Sequence, residues 1–245
     1  MSEDKKCYGW LVAAGLLAIG IALGGYFISH GIIKSRSVQY VTVKGLSEMN
    51  VEADLAFWPV KYSVGNNDMT AAYAEISEKE QIIRAYLKEQ GLKENEITVQ
   101  SRELVDRTLN LYGGDTNQNA TRYVITQTLM VRSNSPQKIA TAVQSAGKLI
   151  GQGVVLSGDS YDSRPMYIFN GLNDIKPEMI AQATQNARKS AEQFAKDADS
   201  KLGSIKYANQ GSFVILPRNP INGQSEQQQI EKTVRVVSTI EYFLD

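Results

Sequence analysis

The stretch VQYVTVKGLSEMNVEADLAFWPVKYSV, from Val38 to Val64, decides the fold. From Val38 to Glu48 apolar and polar residues alternate, the signature of a strand with one buried face. Gly45 marks a bend or bulge within it. Ala53 to Val64 reads as a second strand. Pro59 has no amide hydrogen to give to a ladder, so it belongs at an edge or a bulge.

Toward the C-terminus, Asn66-Asn67-Asp68 is a turn that ends in an N-cap. A helix follows from about Thr70 to Gln90, with Ala72, Ile76, Ile83 and Leu87 on one face and Gly91 at its C-cap. Ile97 to Arg107 and Thr121 to Arg132 read as strands around a polar loop, Tyr112 to Asn117. Ser135-Pro136 opens a short helix, with Pro at the first helical position. Ile139, Val143 and Ala146 are its buried stripe, and Gly147 ends it. Gly151 to Ser160 and Met166 to Asn170 are short strands. The longest helix runs from about Lys176 to Leu202. Its inner face is Ile180, Ala183, Ala187, Ala191, Phe194, Ala198 and Leu202, mostly small, which suits close packing on a sheet. Ile205 to Leu216 and Thr233 to Phe243 are a closing strand pair. RNPINGQSEQQQIEK joins them without apolar periodicity, as a mobile hairpin loop or a contact arm.

Helices thus interrupt antiparallel strand pairs. The pattern is α+β, a mainly antiparallel sheet with helices packed on one face. It fills residues 38–245.

Toward the N-terminus, CYGWLVAAGLLAIGIALGGYFISHGII (Cys7 to Ile33) carries no charge. It exceeds the roughly 20 residues needed to cross hydrocarbon, and Trp10, Tyr26 and Phe27 suit its two interfaces. It reads as a transmembrane signal anchor over residues 7–33. Residues 1–6 are a cytoplasmic tail and 34–37 a linker, with the domain on the far side of a bacterial inner membrane. Its length favours an uncleaved anchor over a cleaved signal peptide, whose apolar core is shorter. Gly20 and Gly24 form a GxxxG, a candidate helix–helix contact.

Composition narrows the chemistry. Lys and Arg number 26, as do Asp and Glu, so no basic surplus exists for a nucleic acid. The sole cysteine, Cys7, and the sole histidine, His30, both lie in the apolar run. The domain beyond it therefore has no means to build a disulfide, a Cys or His metal site, or a Ser-His-Asp triad. Gly147, Gly151 and Gly153 follow a helix, the reverse of a phosphate loop, and read as a helix-to-strand turn. Asp159, Asp162 and Glu178 match no calcium-loop spacing. No cofactor, metal or catalytic residue is expected.

Four segments resemble the SIMPL-domain family, also called DUF541 or YggE-like, over about Tyr40 to Phe243. They are VTVKGLSEMNVEADLAFWPVKYSV, LKEQGLKENEITVQSREL, Arg122-Tyr123-Val124, and AQATQNARKSAEQFAKDADSKLGSIKYANQGS. Ala53 stands where the family has Pro before an acidic residue, Ser47 where it has a second glycine, and Thr121-Arg122-Tyr123 lacks the family's glycine. The resemblance implies an exported protein without established catalytic residues. It also implies homo-oligomers and a role in oxidative or envelope stress.

Two regions offer contacts. Tyr112, Tyr123, Tyr161 and Tyr167 lie in or beside the middle strands and suit an assembly or ligand surface. Asn219 and Asn222 lie in the long polar segment, the candidate partner arm. The expectation is a non-enzymatic, membrane-anchored envelope protein that self-assembles. The alternatives are a periplasmic ligand- or partner-binding module and, third, an uncharacterised hydrolase.

Overall fold

A computed structural model of the protein describes residues 15, 17–26, 39–109, 121–157 and 163–245. Within the apolar run it describes a helix over residues 17–26, α1. Among the described residues no helix is long and apolar enough to cross a membrane. The flanks of the expected anchor lie outside them.

The strands are β1 (Gln39–Glu52), β2 (Leu55–Asn66), β3 (Ile97–Asp106), β4 (Tyr123–Ser133), β5 (Val155–Leu156), β6 (Met166–Ile168), β7 (Leu202–Gln210), β8 (Val214–Pro217) and β9 (Glu231–Leu244). The further helices are α2 (Met69–Glu89), α3 (Pro136–Ser145), α4 (Gly147–Gly151) and α5 (Leu172–Asp197). They form two antiparallel sheets rather than one. β1 and β2, adjacent in sequence, fall in different sheets and do not pair. One sheet has the order β3-β4-β2-β5, with β6 also on β2; the other has β1-β9-β7, with β8 also on β9.

The chain divides into two compact units. The larger comprises residues 47–180 and 212–236. Its core lies between β2 and β4 on one side and α2, α3 and α4 on the other. Trp58, Val60, Tyr62, Leu129 and Val131 meet Ile76, Ile83, Leu87, Ile139 and Leu149 there. Burial alternates along β4, so one face is dry and the other open, as period two requires. Asp68 caps α2, its carboxylate accepting from the Ala71 amide at 2.7 Å. Gly91, at φ 80°, takes the left-handed position after α2 that side chains disfavour.

The smaller unit comprises residues up to 46, 181–211 and 237–245. Val43, Ala187, Ala191, Ile240 and Tyr242 are its buried cluster. The inward stripe of α5 is Met179, Ala183, Ala187, Ala191 and Ala195, at strict four-residue spacing. Phe194 and Ala198, expected inside, face solvent; Phe194 is 58% exposed. The correction has a steric cause. Gly45 in β1 lies so close to the helix that a Cβ on it would overlap the Ala183 carbonyl oxygen and stand 2.6 Å from the Ala187 nitrogen. Only methyl-sized side chains fit such an approach.

Other boundaries shift. Gly147 opens the short α4 instead of closing the preceding helix. The strand expected over Gly151 to Ser160 contracts to β5, and the long helix begins at Leu172. The stretch Ile205 to Leu216 is two strands, both laid on β9.

Candidate functional site

Pro59 places the site. β2 is a central strand, fully paired with β4 from Ala56 to Asn66. Its other edge is shared by two short strands. β6 pairs with Leu55 to Phe57, and β5 with Tyr62 and Ser63. Between them, among the described residues, the edge from Trp58 to Val60 has no strand partner, while the Lys61 carbonyl accepts from the Ser157 amide at 2.8 Å. Pro59 sits in that notch, where its missing amide costs no ladder bond. The expected edge position is met locally, inside a sheet.

The notch opens to two adjoining spaces. On the core side is a chamber of about 230 Å³ floored by Trp58, Val60, Val143, Ala146 and Leu156. On the open side of the sheet is a shelf of about 420 Å³, with Gln100, Ser101, Thr128 and Met130. Pro59, Lys61 and Arg164 border both. The side chains of Lys61 and Arg164 make no ion pair or hydrogen bond among the described residues. The arrangement is an apolar pocket whose rim carries two unneutralised cations, next to polar side chains.

A second polar group lies between α2 and the sheet. The Glu80 carboxylate accepts from Arg84 Nε at 2.9 Å, Gln127 Nε2 at 2.8 Å and Arg102 at 3.2 Å. Burial pushes this carboxyl up, but the hydrogen bonds from Gln127 and Arg84 outweigh it and hold it below the ordinary range. Arg84 also pairs with Glu94, and Arg102 lies over the Tyr73 ring at 5.1 Å. Tyr62 stands beside this group, wholly buried, and its hydroxyl has no hydrogen-bond partner among the described residues. Burial, then the Glu80 charge, raise its pKa. Glu80 is saturated with donors, so the cluster is a fixed tie between α2, β3 and β4 rather than an acid or base poised for chemistry.

The residues singled out from sequence do not converge. Tyr112 and Tyr161 lie outside the described residues, as do Asp159 and Asp162. Tyr167 pairs with Ala56 and Tyr123 with Asn66. They stand at opposite ends of β2, separated by roughly 33 Å of strand. Tyr167 is buried, and Tyr123 lies under the Arg122 guanidinium at 4.8 Å. Gly20 and Gly24 are exposed on α1, and among the described residues a Cβ added to either would meet nothing within 4 Å beyond its own helix. Asn219 and Asn222 are exposed.

Their segment is not the free loop expected. The Asn219 carbonyl accepts from Gln229 Nε2 at 2.8 Å. Lys232, whose side chain is 1% exposed, donates to the Glu226 carbonyl at 2.6 Å and to its carboxylate at 2.7 Å. A buried ammonium needs such partners, so the segment is held down. Lys232 was invisible to sequence reading because it ends a polar run. Its alternation with Val234 and Val236 is the signal that could have placed it on the buried face.

The family resemblance is confirmed by comparison. A family model described as SIMPL, protein of unknown function (DUF541), matches residues 41–242. No curated protein matches the chain.

Proposed function

The chain belongs to the SIMPL (DUF541) family, and from that premise we propose that it is a non-enzymatic cell-envelope protein that assembles into homo-oligomers. Its apolar N-terminal run tethers it to a bacterial inner membrane, with the domain on the extracytoplasmic side. One observation carries the reading. β3 and β7 are both strand edges, ten and nine residues long, and both are exposed along nearly their whole length. Val99, Leu104 and Val105 are uncovered on the first, and Ile205 and Tyr207 on the second. Edges of this length are ordinarily blunted by proline, brevity, charges, bulges or a covering element; both carry bulges, β3 between Val99 and Ser101 and β7 on either side of Ile205, yet keep these apolar side chains uncovered. A neighbouring copy supplies the missing partner strand. A role in oxidative or envelope stress follows from the resemblance alone.

The test is the native mass of the full-length chain in mild detergent, with and without Leu104→Lys in β3 and Tyr207→Lys in β7. A discrete oligomer that either substitution dissociates is the expected result. A monomer at high concentration overturns assembly. Retention of the chain in membranes after alkaline extraction tests the tether.

A further inference from the structure

The notch in β2 points to a function beyond assembly. We propose that it binds a small anionic amphiphile, an aliphatic chain ending in a carboxylate or a phosphate ester. Three features of one place converge on that chemistry.

The first is the chamber. Its floor joins the two buried β2 side chains, Trp58 and Val60, to apolar side chains of α3 and β5. Its roughly 230 Å³ falls below the range typical of drug-sized ligands. An aliphatic tail of modest length matches both its size and its apolar lining.

The second is the rim. Lys61 and Arg164 face the same opening, and neither has an acidic partner among the described residues. Lys88, Arg107 and Lys148 of this unit also lack a carboxylate partner among the described residues; what sets Lys61 and Arg164 apart is that both border one apolar space. Two cations left unpaired at the mouth of an apolar space are complementary to a negative headgroup. Hydrogen bonds to a charged group are the stronger kind.

The third is the shelf. Gln100, Ser101 and Thr128 lie just beyond the two cations, on the open face of the sheet. They offer donors and acceptors to whatever the headgroup carries. Apolar floor, cationic rim and polar shelf follow one another in the order of the parts of an amphiphile. Pro59, which has no amide hydrogen, offers no ladder donor on this edge.

Titration of the full-length chain tests this. It carries Trp10→Phe, so that Trp58 is the only tryptophan, and is held in nanodiscs of zwitterionic lipid. The probes are octanoate, octyl phosphate, 1-octanol and inorganic phosphate. Saturable change in Trp58 emission with octanoate or octyl phosphate is expected, and which of the two binds more tightly identifies the headgroup. Lys61→Gln with Arg164→Gln should weaken that binding by about tenfold or more, the scale of one charge-assisted contact. Arg132→Gln, a cation on the same sheet face outside the chamber, should leave it unchanged. Partition into the disc lipid is common to all variants and cancels. Absence of saturation with both anions overturns the proposal. So does binding by the double variant within about twofold of the parent. Octanol binding as tightly as octanoate removes the cations from the site, and phosphate binding as tightly as octyl phosphate removes the chamber. Either result overturns it, and neither bears on the oligomer mass.

Discussion

The carboxylate of Asp54 accepts hydrogen bonds from the backbone amides of Asn170, at 2.9 and 3.0 Å, and Gly171, at 3.0 Å. Asp54 lies in the turn between β1 and β2, and Gly171 immediately precedes α5. The turn leading into the longest described helix is thus held by a residue far away in sequence. The carboxylate also lies by the partial positive charge of the helix start. Asp54→Ala should cost about 1 kcal/mol, within the range of lost N-caps. Urea denaturation checks it; an unchanged midpoint would show the bonds to be idle.

Gly45→Ala should be far more damaging than a single methyl group suggests. The added carbon overlaps the backbone of α5 at Ala183, which cannot move aside as a side chain would. Overpacking of this kind costs typically 1–3 kcal/mol, and a backbone clash belongs at about the upper end. Thermal unfolding followed by circular dichroism measures the drop.

Tyr62→Phe runs the other way. The hydroxyl is buried without a partner, so removing it relieves a desolvation cost and leaves the ring packing intact. A gain of about 1 kcal/mol is expected. A loss of stability would mean that the hydroxyl has a partner after all.

Much of this architecture was legible in the sequence, for a physical reason. Period-two alternation marked β1, and caps at Asp68, Gly91 and Pro136 marked two helices, because these signals are local. What failed was set by distant residues. Phe194 fits an apolar helical face as well as Met179 does; only the approach of Gly45 decides which face turns inward. The division into two sheets leaves no local trace, since β1 and β2 look like a pair. The notch was half visible, as Pro59, but its chamber needs Val143 and Leu156, and its rim needs Arg164. No spacing along the chain joins them.

Acid should loosen the start of β4. Asp106 is held at about 2, first by the hydrogen bonds from Arg122, then by that from Thr108. Its folded value lies below the unfolded one of about 3.9. The contribution of this contact is therefore complete above about 3.9 and is lost as pH falls toward 2. Glu80 is depressed as well and acts in the same direction. Carboxyl carbon shifts measured against pH should place the Asp106 midpoint near 2, and Arg122→Gln should move it up toward the ordinary value.

Lys232 ties down residues 218–230 through Glu226. Removal of the acid strands a buried cation, so Glu226→Gln should destabilise the protein by roughly 1–3 kcal/mol, less than for a fully buried pair because Glu226 is partly exposed. Lys232→Met keeps the volume and removes the charge. It should spare global stability while opening the segment to limited proteolysis. Equal protease resistance in both proteins would separate the segment from the lysine.

β9 lies between β1 and β7 in its sheet. It is also the last of the three to leave the ribosome, so both neighbours must wait unpaired until it arrives. The sheet closes from the outside in, around the strand that is made last of the three. A ribosome that stalls within β9 would release two strands with nothing between them, and quality control rather than chemistry would decide the fate of that chain.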